Sequence, residues 1–370
     1  MKNKIQFGSW EATTLMVNLV LANILLTSPR DMAKFGGSAS WMIPIIITLI
    51  TVVYFAIVVS LYKNIGSLDL IDISAGIGGR TFKVIVGLLI TVFLIITASI
   101  FLGVFSQTLK IISLDSSPSM YIKIIFFVGM IAAGYYGVEI VARINAILVP
   151  IVIVGIILLT LGVIPEFRIN NLFPILGNGY ASIAKGSIFK LSIFASFMIL
   201  FLMVPFFKKQ FLKKVGFLYI LISGLLLLWS TLSYILVFPY EMAVDKQIPV
   251  FQLARHIVLG EFIQRIESIF VLICSICAIL FLCVIFSFAI HVFSKMLDLK
   301  KSRPIILPMA IIVFSLTTLS RKMNLDLLGN GSFNLLWLTG MILPLVIIII
   351  GAIKKVGARD RGGIKNGKEN

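Results

Sequence analysis

Charge is scarce in this 370-residue chain: Asp, Glu, Lys and Arg make up 13% of it, and His occurs twice. That leaves nothing for a separate soluble domain, in which about a quarter of residues are charged. Cysteine is scarce too. Cys274, Cys277 and Cys283 share one apolar stretch with no His or second Cys pair beside them, so they read as small apolar residues and no metal site is expected. No nucleophile stands with a base, so the sequence does not read as an enzyme, and no cofactor is expected.

What the chain has is long apolar runs. They cover residues 11–29, 41–61, 84–109, 120–138, 144–165, 191–207, 215–239, 268–290, 304–320 and 333–353, and no charged residue falls in the middle of any of them. A bilayer core about 30 Å thick takes roughly 20 apolar residues of helix, and backbone facing lipid must close its own hydrogen bonds. The expected fold is therefore an all-α polytopic membrane protein with about ten transmembrane helices. One membrane domain is expected over residues 1–356, in halves of about 8–165 and 181–356, with a basic, Gly-rich, disordered cytoplasmic tail at 357–370. No cleavable signal is read in residues 1–10, so the first span is expected to stay in the mature chain.

A net charge of +17 in a soluble protein would suggest nucleic acid. Here the basic residues sort by topology instead. With the N-terminus cytoplasmic, inside segments hold 20 of the 32 Lys and Arg, among them Lys63, Arg80, Lys83, Arg143, the cluster Lys208 to Lys214, and Lys295 to Arg303. Both termini are expected in the cytoplasm, with the bilayer and not nucleic acid as the partner of this charge.

An even number of spans with both ends inside suggests two halves of five, an inverted repeat whose first helices are broken. The first span ends Leu25-Leu26-Thr27-Ser28-Pro29-Arg30 and the sixth ends Met203-Val204-Pro205-Phe206-Phe207-Lys208. Pro29 and Pro205 remove a backbone donor each, which frees carbonyls a turn earlier; the alternative is simple termination of the span. Two longer outside connections, 165–190 and 240–267, are each expected to carry a short surface helix. In the second, Val250, Leu253, Ile257 and Phe262 share one helical face.

Five stretches resemble the spore germination permease family, the B subunits of GerA-type germinant receptors. Asn170-Asn171-Leu172-Phe173-Pro174-Ile175-Leu176-Gly177-Asn178-Gly179 is similar to the family's N-N-L-x-P-x-L-G-x-G. The end of the first span resembles its L-L-x-x-P-R, Glu139 with Arg143 its E-x-x-x-R, and Pro205 with Lys208, Lys209, Lys213 and Lys214 its proline and basic loop. Arg265-Ile266-Glu267-Ser268 resembles its entry to the eighth span. The order holds from about Gln6 to Lys355. The resemblance implies the LeuT-like, inverted-repeat fold of the amino acid, polyamine and organocation (APC) transporter superfamily. It implies a place in the spore inner membrane, a small germinant such as an amino acid as ligand, and A and C subunits as partners.

A free amino acid held at mid-membrane needs exposed backbone donors and acceptors, which broken helices supply. The break in the first span is expected near Ala22-Asn23-Ile24, just before Thr27. Relatives often have G-x-G there, so the bulk of Ile24 implies less unwinding or a tighter pocket. In the sixth span the candidate stretch is Ser196, Phe197, Met198 and Ile199, where relatives commonly place a glutamate at the position of Ile199. Without an intramembrane carboxylate the pocket is expected to prefer an apolar or weakly polar ligand. Thr97 in the third span and Ser275 in the eighth are further candidates, although such hydroxyls mostly bond their own helix. Glu139 with Arg143 reads as a structural ion pair or subunit contact, Arg265 with Glu267 as gating or structural, and His256 and His291 as interfacial. Three functions remain open: a germinant-receptor subunit that signals by changing conformation, an amino-acid permease, and a scaffold subunit with a decayed site.

Overall fold

Ser9–Leu26 (α1) is buried on nearly every side, as expected of a helix that is apolar all round. The computed structural model describes residues 7–63, 65–113, 119–246, 248–257, 267–322, 331–354 and 356. After α1 come Ser28–Gly36 (α2), Met42–Tyr62 (α3), Leu70–Ile112 (α4), Ser119–Leu161 (α5), Tyr180–Lys190 (α6), Phe197–Leu202 (α7) and Leu212–Val237 (α8). Tyr240–Asp245 (α9), Pro249–Arg255 (α10), Glu267–Met296 (α11), Arg303–Lys322 (α12) and Gly331–Ile353 (α13) complete the chain. No strand occurs among the described residues.

Among the described residues, seven helical stretches are long and apolar enough to cross a membrane, and Arg303–Thr318 and Thr339–Ile353 are shorter apolar helices. One of the seven is two spans. Gly129 lies against Ile279 and Gly155 against Ile273. In one straight helix those glycines would stand about 39 Å apart, whereas the two isoleucines are only about 9 Å apart along α11. The chain must therefore reverse inside α5, and it does so at Gly137, whose φ of 81° suits glycine alone. The ten expected spans are thus accounted for.

Two spans are broken. α1 stops at Thr27 (φ −139°, ψ −17°) and α2 begins at Ser28 with Pro29 in its first turn, where a missing N–H costs nothing. The expected break near Ala22-Asn23-Ile24 is corrected: all three residues are helical. With Ala22 and Ile24 in place of glycines the helix persists to the proline. In the sixth span, Leu191–Ser196 forms a 3₁₀ helix, α7 follows, Met203 interrupts, and Val204–Phe206 with Pro205 is again 3₁₀. Mid-span 3₁₀ segments mark hinges or strain.

The connections at 165–190 and 240–267 carry helices α6, α9 and α10. On α10, Val250 and Leu253 are buried and Arg255 is exposed, as the sequence pattern requires. Phe262, Arg265 and the tail at 357–370 lie outside the described residues.

Candidate functional site

The broken sixth span meets α1, α4 and α11 at mid-membrane around a cavity of about 20 Å³. Leu19, Phe93, Leu94, Thr97, Ile193, Ala195, Ser196, Met198, Ile199, Phe281 and Ile285 line it. The switch from 3₁₀ to α geometry at Ser196 and Phe197 puts Ser196, Met198 and Ile199 on this wall together. Polarity is sparse. Thr97 and Ser196 supply the only hydroxyls in the lining, and Ser196 Oγ also shares a 2.6 Å hydrogen bond with Tyr219 Oη. A volume of 20 Å³ holds about one water, whereas pockets for small ligands run from about 300 Å³. The site is closed.

Of the ten candidate ligand residues, four line the cavity: Thr97, Ser196, Met198 and Ile199. Phe197 turns instead into an aromatic cluster with Tyr54, Phe55 and Tyr219, with ring centroids 5.3 to 5.5 Å away. Asn23 folds back on its own helix, Nδ2 donating to the Leu19 carbonyl at 3.0 Å. Its carbonyl accepts from the Thr27 N–H at 3.2 Å and from Ser28 Oγ at 2.9 Å. Ala22, Ile24 and Thr27 belong to that same helix end and not to the cavity lining. Ser275 Oγ donates to the Val271 carbonyl, the self-bonding typical of membrane hydroxyls.

The sequence profile described as "Spore germination protein" matches residues 7–324. The chain belongs to the spore germination protein family. Two relatives come from Bacillus subtilis (strain 168). Spore germination protein YndE is 23% identical over 201 residues, 54% of this chain and 55% of that one. Spore germination protein B2 is 25% identical over 212 residues, 55% of this chain and 56% of that one. The aligned stretch thus spans about half the length of each. Among solved structures, the nucleobase-cation-symport-1 family transporter Mhp1, in a closed conformation with bromovinylhydantoin bound, superposes with a TM-score of 0.63 at 10% identity. That match covers 96% of this chain and 91% of Mhp1 and shows the shared fold. Family and fold are those of a multi-pass membrane permease, not of an enzyme.

In this spore germination protein the two broken spans are tied to each other at both ends. At one end Asp31 on α2 pairs with Lys190, the residue before the 3₁₀ segment of the sixth span, at 2.8 Å. Arg30 Nε donates to the Val244 carbonyl beside it. At the other end Phe7 stacks on Phe206, and the Phe7 N–H donates to the Phe206 carbonyl. That end is also latched between helices: Lys295 near the end of α11 reaches Asp69 at 2.5 Å and Asp72 at 2.6 Å at the start of α4. Asp69 caps α4 by accepting from the N–H groups of Ile71 and Asp72. Burial pushes its carboxyl up to about 6 against the pull of Lys295.

Glu139 and Arg143 form an exposed pair at 2.7 Å, a contact worth a few tenths of a kcal/mol. Glu267 opens α11. His256 is exposed, whereas the Nε2 of His291 is buried without a partner among the described residues, its ring against Phe206. Sequence reasoning missed Asn18. It is fully buried in α1, Oδ1 accepting from Cys277 Sγ at 3.1 Å, while Nδ2 has no partner among the described residues. An amide in the middle of an apolar run was its signal, since polar groups at that depth are expensive.

Proposed function

We propose that this spore germination protein is the membrane B subunit of a germinant receptor. On this reading it lies in the spore inner membrane with both termini cytoplasmic, binds a small apolar or weakly polar amino acid at the central cavity, and signals to A and C subunits by changing conformation. The observation that carries the reading is the cavity itself, built by the broken sixth span at the level where the helix type switches. Because it holds only about one water, ligand entry must accompany separation of the first and sixth spans together from α4 and α11. A ligand can drive that change only through different binding free energies in the closed and open states. The halves at about 8–165 and 181–356 would then each supply one moving span, the first and the sixth, and one stationary helix, α4 and α11.

The test uses spores carrying wild type, a deletion of this chain, or Thr97→Val with Ser196→Ala, with dipicolinate release recorded against single amino acids and sugars. The deletion should abolish the response to particular compounds. The paired substitution should raise their half-effective concentration by about tenfold, the worth of one to two neutral hydrogen bonds. A response lost on deletion but untouched by the cavity substitutions would instead assign the chain a scaffold role, the reading favoured by the small volume and by Ile199. Saturable amino-acid uptake by proteoliposomes of the purified protein would assign it transport.

A further inference from the structure

At the basic end of the bundle a cleft of about 270 Å³ separates the end of α3 from the start of α8. Val59, Tyr62 and Leu212, all buried, line it together with Lys63, Lys209, Gln210 and Lys213. Lys209 Nζ donates to the Lys63 carbonyl at 3.0 Å and stands 5.9 Å over the Tyr62 ring, which fixes its ammonium across the mouth. Lys208 and Lys214 flank the cleft and are exposed. Among the described residues no carboxylate forms an ion pair with Lys63, Lys208, Lys213 or Lys214. Cations of one sign gathered around an apolar floor repel one another unless an outside anion sits between them.

The surface leading away from the cleft says which anion. On α8, Lys213 is followed at i+4, i+8 and i+12 by Phe217, Leu221 and Leu225, all exposed. On α3, Ile57, Val53 and Leu49 form a second exposed stripe at the same spacing. The helices touch between them, Phe55 lying against Gly216. A soluble anion would use the lysines and leave these stripes idle. A lipid uses both.

We propose that this cleft binds one anionic phospholipid, its phosphate held by Lys63, Lys209 and Lys213 and its acyl chains lying along the α3 and α8 stripes. The segment Lys208 to Phe211 directly follows the broken sixth span, so the bound lipid braces the end of the element that builds the central cavity. The lipid site stands on its own geometry, independent of what the cavity binds.

Native mass spectrometry of the full-length protein, with phosphatidylglycerol and phosphatidylcholine supplied in equal amounts, tests this. Wild type should retain one phosphatidylglycerol in preference to phosphatidylcholine. Lys63→Gln with Lys213→Gln should cut that preference by about thirtyfold, the factor supplied by two lysine attractions at an anionic lipid surface. Lys63→Arg with Lys213→Arg should keep it, which separates loss of charge from loss of fold. Lys300→Gln with Lys301→Gln removes the same charge from the same end of the bundle and should also keep it. Equal loss in that control would reduce the effect to general surface attraction and overturn the proposal. So would equal retention of phosphatidylcholine by wild type, or displacement of the lipid by millimolar inorganic phosphate.

Discussion

Replacing Asp31 with Asn should loosen the tie between the two broken spans, and the structure sets its size. Lys190 Nζ lies 2.8 Å from Asp31 Oδ2, with side chains only 9% and 18% exposed. An exposed pair is worth about 0–1 kcal/mol, whereas removing one partner of a buried pair costs about 3–5 kcal/mol because the other charge is left dry. At these exposures Asp31→Asn should cost about 2–3 kcal/mol, close to a hundredfold in the unfolding equilibrium. Lys34 cannot compensate, since it carries the same charge as Lys190 and itself loses the carboxylate 4.0 Å away. Lys190→Met should cost less, because Asp31 keeps Lys34. The double variant Asp31→Asn with Lys190→Met leaves no buried charge and should recover at least half of the first loss, about 1–1.5 kcal/mol, so the coupling is that recovery plus the cost of Lys190→Met. Denaturant unfolding of the purified protein in detergent, followed by tryptophan fluorescence, reads all four corners of the cycle. If the double variant falls by the sum of the singles, or Asp31→Asn costs under about 0.5 kcal/mol, the pair is an incidental surface contact and the tie is refuted.

Three further outcomes are expected. Burial raises the Asp69 carboxyl from 3.8 to about 6, so the folded state holds its proton more tightly than the unfolded chain; its contribution to stability is full below about pH 4 and lost as pH rises through 6. The wild type's unfolding midpoint should fall over that window more than that of Asp69→Asn, whose amide still caps α4; parallel profiles would refute it. Asn18→Leu removes a buried amide with an unpartnered Nδ2, so stability should hold or rise by about 1–2 kcal/mol while the germinant half-effective concentration shifts; a loss of stability would show the amide to be structural. Gly340→Ala would place a Cβ 2.7 Å from the Ala195 carbonyl oxygen, behind the cavity wall; it should cost about 1–3 kcal/mol and shift the germinant response, and a neutral result would show that α13 gives way freely there.

The membrane spans were legible because lipid leaves the sequence no freedom: a charge at mid-span is penalised wherever it falls, so the runs mark themselves. The reversal at Gly137 was legible only as the gap between two runs. The break of the first span was legible in kind through Pro29, but it lies at Thr27, because a helix without glycine runs on until two residues before the proline. The sixth span's candidate stretch was legible as a stretch, but which side chains face inward depends on the change from three to 3.6 residues per turn at Ser196, which no residue type announces. Hence Ser196, Met198 and Ile199 line the cavity and Phe197 does not. Pairings across the fold were illegible altogether. Asp31 and Lys190 are 159 residues apart, and Lys190, read from sequence, was one more outside lysine.

Those pairings decide how the closed site can open. The first and sixth spans are each interrupted near one end, at Thr27 and at Ser196, and again at Met203 in the sixth. If the pieces were independent, each break would be a separate hinge and the cavity would gape locally. The Asp31 pair with Lys190 joins the pieces on one side of the cavity, and the Phe7 contact with Phe206 joins them on the other. The two spans therefore shift together, and the contacts they must leave are those with the partners that stay behind: Phe93, Leu94 and Thr97 on α4, and Phe281 and Ile285 on α11. Lys295 holds α4 to α11 through Asp69 and Asp72, so these two partners form the stationary wall. A closed cavity whose four walls are tied in pairs opens along a single seam, so on the proposed function a small ligand would have one conformational equilibrium to bias rather than many.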